Sequence, residues 1–481
     1  MKEYKLYING QNKPSSSGKI IDDFNPASGE LFAKVHMADK QDIEDAIQSA
    51  YIAQKQWAKT APREKEAILL KAADIFESRS EEIKEILMNE SGSVIAKCMF
   101  EIGTVVDILR TAAGEARRVS GETFTSNDPD TFSYSIRRPL GVIAGISPFN
   151  APMILSSKKF AFALAAGNSF VLKPSSQTPV CGLIFGEIFS EAGLPNGVLN
   201  IIPCSRKDLG DSFQADPRIA MITLTGSTAV GKKVASAAAA NLKKCTVELG
   251  GKSPTIVLGD ADVDYAVDSA AFSIFLHQGQ ICMAGSRILV EENIYNEFCE
   301  KFVNKVKNLK VGKPNDPTTI IGPLIKEAQC EFINTLVDDA VNKGASLLAG
   351  RQNTGTYYQP TVVTNVNDSM NIFHEEAFGP VAVIIKVKGL DEIIRIANNS
   401  NYGLSSAIIT NNLSATQRLI EELETGMVHV NGTTIQDEAH IPFGGVKESG
   451  IGREGGHFSI EEMTELKWVT IEGVKNRQYP F

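Results

Sequence analysis

Few features that announce a specialised environment occur in this sequence. No apolar run reaches the ~18 residues of a membrane span; the stretch from Phe160 to Leu172 comes closest and is cut by Gly167 and Asn168. The segment Met1 to Gly10 holds no apolar core of signal-peptide length. Both readings point to a cytoplasmic protein with no membrane partner. Seven cysteines, an odd number spread over 481 residues, do not make a disulfide framework. They include no CxxC pair, and the six histidines show no HExxH spacing, so no metal site is expected. An excess of basic residues is missing too: the net charge is -9, which argues against nucleic acid as a partner. What remains is an ordinary globular composition, 43% hydrophobic and 22% charged. The length suits about two to four domains with ample core.

Leu6, Tyr7 and Ile8 run into Asn9 and Gly10, a two-residue hairpin signal, so residues 4–35 are expected to form short strands. From Asp42 the apolar residues Ile43, Ala46, Ile47, Ala50 and Ala53 keep the three- and four-residue steps of one buried helix face. Further helices are expected from Pro62, from Ser80 toward Asn89, and across Glu101 to Arg118. From Leu140 to Val257 strand-like runs alternate with helical stretches at 152–166, 178–193 and 229–241. That is the βαβ rhythm of a parallel, doubly wound sheet, with its ligand crevice beyond the carboxyl ends of the strands. A second alternation runs from Ala261 to Leu423, with strands near 286–290, 361–364, 380–387 and 405–410. A threonine-rich stretch at 121–139 reads as a hairpin, and Leu466 to Ile471 alternates as a strand. Exposed strands of this kind need covering, by a partner subunit or by their own domain.

One thiol stands in a small-polar, glycine-bearing run, Phe275-Leu276-His277-Gln278-Gly279-Gln280-Ile281-Cys282-Met283. A thiol reacts as the thiolate, which an exposed, electropositive setting favours; most cysteines are instead structural. A Cys–His hydrolase would use His277 as base, but five residues along a loop do not establish contact, and a pocket-wall histidine is the competing reading. Upstream, Ile219 to Thr225 enters Gly226-Ser227-Thr228-Ala229-Val230-Gly231-Lys232-Lys233 and an alanine-rich helix. A glycine turn feeding a helix N-terminus suits a phosphate, because free N–H groups and the positive dipole end face the anion. The spacing is GxxxxGK, yet Lys233 stands where a P-loop needs a hydroxyl for Mg²⁺, and the GxGxxG spacing is not met. Glu248 lies 22 residues past Gly226 and fits either a ribose-binding acid or a general base beside Gly250 and Gly251. The residues alone leave both roles open.

Five dispersed motifs, taken together, are similar to the aldehyde dehydrogenase superfamily. They are Ser147-Pro148-Phe149-Asn150, Val247-Glu248-Leu249-Gly250-Gly251-Lys252, Gly279-Gln280-Ile281-Cys282, Glu375-Glu376-Ala377-Phe378-Gly379-Pro380 and the run from Pro442 to Arg453. The resemblance spans nearly the whole chain, and it implies an α/β fold of two doubly wound domains plus a small β arm. The implied division is a dinucleotide-binding domain at 1–121 and 140–249, a catalytic domain at 250–448, and an oligomerisation arm at 122–139 and 464–481. It implies a homodimer or homotetramer joined through that arm.

The implied chemistry is NAD(P)-dependent oxidation of an aldehyde to its acid. Cys282 is the expected nucleophile, Asn150 the oxyanion donor, Glu248 the base that activates water, and Lys159 a further catalytic residue. The expected cofactor contacts are Ile146, Ser147, Pro148, Phe149, Lys173, Ser175, Ser176, Gly226, Ser227, Gly231, Leu249, Gly250, Glu376 and Phe378. Many members that prefer NAD carry a glutamate where this chain has Ser176; a serine there accepts a 2′-phosphate, so NADP is expected ahead of NAD. Ala151 stands where many members place a bulky aromatic and Phe149 where they have a tryptophan, which implies a wider tunnel. The runs from Asn431 to Phe443 and from His277 to Met283 are similar to benzaldehyde- and vanillin-type members. An aromatic or bulky apolar aldehyde is therefore expected, with lactaldehyde, glyceraldehyde or a semialdehyde as alternatives. A non-catalytic nucleotide-binding relative would be expected to lose the nucleophile or the base, and this chain has both.

Overall fold

The computed structural model describes residues 2–473 and Phe481. One sheet has eight strands in the order Gly450–Ile451, Lys244–Glu248, Ile219–Thr225, Val142–Ile146, Ser169–Lys173, Leu199–Ile201, Leu6–Ile8, Gln11–Lys13. The five from Lys244–Glu248 to Leu199–Ile201 are parallel, and the outer ones are antiparallel. Strand alternation sends side chains to two cores. Ile143, Phe170 and Leu172 pack under the helices Pro62–Ser78, Ile95–Glu115, Pro152–Ala165 and Pro179–Ala192. Val142, Ala144 and Val171 face Lys40–Trp57 and Thr228–Ala240. This is the doubly wound sheet expected from the βαβ rhythm.

The second sheet has seven strands, in the order Ser346–Ala349, Thr361–Thr364, Val381–Val387, Arg287–Glu291, Pro254–Val257, Ser405–Ile409, Met427–Val430. All pairs but the first are parallel. It too is covered on both faces: Leu289 and Val383 belong to one core, Ile288 and Ile384 to another. These strands read as unbroken apolar runs because neither face meets water.

The threonine-rich stretch forms the strands Thr123–Phe124 and Thr131–Pro139. Thr464–Glu472 pairs with the latter along its full length, from Thr464 opposite Pro139 to Glu472 opposite Thr131. Of the expected arm, residues 474–480 lie outside the described residues, as does Met1. Two further arrangements complete the fold. Lys2–Tyr4, Leu31–His36 and Ile20–Phe24 make a small sheet of their own. Gly450–Ile451 and the helix Gly456–Glu462 carry the chain back to the first sheet, where the strand pairs with Val247 and Glu248. No helix among the described residues is long and apolar enough to cross a membrane.

Candidate active site

The carboxyl ends of the first sheet open into a cleft of about 510 Å³. Three strand ends build its floor. After Val142–Ile146 the chain turns through Ser147 to Asn150, and Pro152 opens the next helix at a first-turn position where its missing N–H costs nothing. After Ser169–Lys173 come Ser175 and Ser176, and after Ile219–Thr225 come Gly226 and Ser227, the residue that precedes the helix Thr228–Ala240. Ile146, Ser147, Pro148, Phe149, Lys173, Ser175, Ser176, Gly226, Ser227, Leu249, Gly250, Glu376 and Phe378 all line the cleft. Phe149 and Phe378 meet edge to face, centroids 5.7 Å apart. Gly231 does not line it: a Cβ there would sit 2.2 Å from Leu249 Cδ2, so this glycine serves the packing of the helix on Leu249.

The opposite wall comes from residues that no local pattern singled out, Ile325, Lys326, Gln329 and Phe332, at the start of the helix Glu327–Asn342. Arg206 also reaches the cleft beside Lys173, whose ammonium it helps push down after burial has done most of that.

A second, smaller cavity of about 60 Å³ lies on the far side of Asn150 and Cys282, which line both spaces. Its walls are apolar, among them Phe100, Ala151, Ile154, Leu155, Ile435 and Phe443. The two charged residues at its edge are already paired. Lys97 bonds to Glu101, and Lys158 donates to Asp437 at 2.5 Å while lying 4.3 Å over the Phe443 ring.

Cys282 reaches this junction through a strained loop. His277, Gln278 and Gly279 take φ of 48°, 58° and 71° in succession, ending the helix Val263–Phe275 in a left-handed kink. Such geometry costs about 1–3 kcal/mol for each non-glycine residue and persists only where surroundings enforce it. Here Gln278 Nε2 donates to Pro323 O at 2.9 Å and Gln280 Oε1 accepts from Ile325 N at 3.0 Å. A turn closed by Ala284 N to Ile281 O then presents Cys282. His277 is buried, neither ring nitrogen has a partner among the described residues, and it lines neither cavity. Burial, then Lys97, keeps its ring neutral. The arrangement gives a Cys–His base no contact to work through.

The electropositive surroundings expected for the thiol are absent. Burial, then Glu376 and Glu248, pushes Cys282 up to about 12, and the Met283 N–H opposes this weakly. The glycine turn that follows Glu248 passes close to Cys282: a Cβ on Gly251 would lie 2.3 Å from Cys282 O. The Glu248 carboxyl is itself 2% exposed, without a hydrogen-bond partner among the described residues, and turned toward Gly444 rather than into either cavity. Burial and Glu454 raise it well above the usual carboxyl range, against Lys159, Lys158 and Arg453. Lys159 lines neither space; it donates to Glu454 at 2.7 Å and to Thr223 at 3.2 Å. Its contact with the chemistry is thus through Glu454 and the field at Glu248, not direct. Arg287, inside its strand, spends its guanidinium on the carbonyls of Lys252, Ile396, Ala397 and Asn399.

A family model described as the aldehyde dehydrogenase family matches residues 13–469. A benzaldehyde dehydrogenase, YfmT, of Bacillus subtilis is 42% identical, over 99% of this chain and 98% of its own. A vanillin dehydrogenase of Pseudomonas fluorescens is 39% identical over 100% of both chains. A Pseudomonas putida benzaldehyde dehydrogenase named for NAD(+) is 40% identical over 98% of this chain and 96% of its own. Among solved structures, a salicylaldehyde dehydrogenase from Pseudomonas putida G7, complexed with salicylaldehyde, superposes with a TM-score of 0.97 at 39% identity, covering 100% of each chain.

Proposed function

The chain belongs to the aldehyde dehydrogenase family, and from that membership we propose that it oxidises an aromatic aldehyde to the acid, with NADP preferred over NAD. The observation that carries this reading is the meeting of two unlike cavities at Asn150 and Cys282. One is large, mixes polar with apolar walls and is floored by strand ends and a helix N-terminus; the other is small and almost wholly apolar. A nucleotide suits the first and an aromatic ring the second.

The residues present fit a dinucleotide. Gly226 and Ser227 lead into the positive end of a thirteen-residue helix, where a pyrophosphate is favoured. Glu376 accepts from Gly251 N at 3.2 Å, and its carboxyl lies against Gly250, where a Cβ would come within 2.4 Å of it. When bound, the nicotinamide accepts the hydride. Lys173, Arg206 and Ser176 cluster at the other end without a carboxylate among the lining residues there, which suits a 2′-phosphate. A phosphate would also relieve the mutual repulsion that Arg206 and Lys173 now feel.

Cys282 Sγ, once ionised, attacks the carbonyl carbon. The Asn150 amide and the Cys282 backbone N–H hold the oxyanion, and departure of hydride leaves a thioester on the sulfur. Glu248 swings from its dry position toward Cys282 and takes a proton from the water that cleaves the thioester. Lys159 and Glu454 act as positioning residues behind Glu248. Because Lys97 and Asp437 are already paired, the small cavity offers no free charge to a carboxylated aldehyde, which favours an uncharged ring.

An aldehyde panel run against both nicotinamides tests the reading. Benzaldehyde and salicylaldehyde with NADP should give the highest kcat/KM; lactaldehyde, glyceraldehyde or a semialdehyde outranking them would refute the substrate class, and a higher kcat/KM with NAD the cofactor preference.

A further inference from the structure

The small cavity has an ion pair in its wall that the scheme above treats only as charge already neutralised. Lys158, on the buried helix Pro152–Ala165, has its side chain wholly out of solvent. Its one hydrogen bond among the described residues goes to Asp437 Oδ1 at 2.5 Å, and the Phe443 ring lies 4.3 Å from the same ammonium. Lys158 stays behind the wall, whereas Asp437 lines the cavity with its side chain 11% exposed. A buried pair of this kind adds little stability over apolar side chains of similar volume, because desolvating two charges offsets their attraction. Its use therefore lies in the cavity rather than in the core. The carboxylate is also firmly held. Three residues earlier, Thr434 N donates to Ser273 Oγ at 3.1 Å and Thr434 O accepts from Ser405 Oγ at 2.7 Å. Two residues later, Ala439 O accepts from Gly456 N at 2.9 Å.

The lining side chains that carry charge, an amide or a thiol are Lys97, Asn150, Cys282 and Asp437. Asn150 and Cys282 are engaged by the reacting carbonyl, and the Lys97 ammonium, already bound to Glu101, can only donate. Asp437 is left as the acceptor. An ionised carboxylate has about four lone-pair positions, more than Lys158 and the Glu438 N–H occupy. We propose that Asp437 is a specificity residue that accepts a hydrogen bond from a hydroxyl on the substrate's ring, so that the preferred aldehydes are hydroxylated aromatic ones. The inference rests on the reading that an aromatic ring fills the small cavity with its carbonyl at Cys282. Lys158 keeps the acceptor ionised: burial raises the Asp437 carboxyl, and the ammonium opposes that rise. A hydroxyl donates to this neutral pair without bringing a charge into an apolar space, whereas a ring carboxylate would meet the Asp437 anion.

The test compares 2-, 3- and 4-hydroxybenzaldehyde with the matching methylbenzaldehydes, at a pH that keeps the phenols protonated. A methyl group is close to a hydroxyl in size but cannot donate. In the native protein KM for the hydroxylated aldehyde should lie ~10–100-fold below that of its methyl counterpart at one ring position or more, the usual effect of a hydrogen bond to a charged group. The difference belongs in KM because ground and transition states hold the hydroxyl alike. Asp437→Asn keeps the shape but accepts more weakly, and should shrink the difference at that position. Asp437→Leu combined with Lys158→Met strands neither charge and should abolish it. No difference at any position in the native protein, or one that survives in whichever variant folds, overturns the proposal. If lactaldehyde outranks every aromatic aldehyde, the reading beneath the proposal fails, and the proposal with it.

Discussion

Cys282 is half-buried where the two cavities meet and feels the charge of Glu376 and Glu248, so its ionisation is an early barrier of the reaction. Alkylation of the protein by iodoacetamide should be slow at neutral pH and climb through the alkaline range, because burial, Glu376 and Glu248 all resist the thiolate. Glu376→Gln removes a like charge and should start the climb at lower pH. A rate already at its plateau near neutrality would contradict the described electrostatics. Asn150→Ala should lower kcat by ~100–1,000-fold, the usual cost of one oxyanion donor, while nucleotide affinity stays close to native. Ser176→Glu should move the ratio of kcat/KM values toward NAD, since a carboxylate repels a 2′-phosphate and bonds ribose hydroxyls; an unchanged ratio removes the argument for NADP.

The helix Pro152–Ala165 is buried along its whole length and links the two cavities to the scaffold. Its first N–H groups, at Met153 and Ile154, donate to Glu101 Oε1 at 2.8 and 3.2 Å, and the same carboxylate holds Lys97. Glu101→Ala strands a buried ammonium and two amides, and breaking such a pair costs roughly 3–5 kcal/mol. The midpoint of thermal unfolding should drop by several degrees; an unaltered midpoint would mean that the helix start finds other partners. Elements such as this were legible in the chain, because strand runs and helix periods at 140–257 reflect which faces are buried, a local property. So was the pairing of Asn150 with Cys282, drawn from motifs of the family resemblance: both line the two cavities. What could not be read were contacts made across the fold. Arg206 and Gln329 carry no motif, and they reach the cleft because distant elements close over it. The thiol's acidity was not legible for the same reason: the run around Cys282 holds no carboxylate, and Glu376 and Glu248 arrive from elsewhere.

At the scale of the whole molecule, two sheets are each buried on both faces, and the three-stranded arm stands outside them. Among the described residues its outer strand, Thr464–Glu472, pairs along one edge only, and it exposes Leu466, Trp468 and Ile471, Trp468 at 72%. A long, apolar, unpaired edge is normally covered, and a second copy of the chain joined through the arm, in a dimer or tetramer, is the proposed cover. Trp468→Glu with Leu466→Glu should reduce the mass seen by sedimentation to that of one chain; an unchanged mass would place the subunit contact elsewhere. The cavities do not involve the arm, so the central claim can be put to the site directly. It is that Cys282 carries an acyl group that Glu248 helps water to remove. Rapid mixing of the Glu248→Gln variant with benzaldehyde and NADP should release one reduced nicotinamide per active site in a burst, leave an acyl adduct on the peptide containing Cys282, and then turn over ~100–10,000-fold more slowly than native. Native-like sustained turnover with no adduct on that peptide would contradict the account.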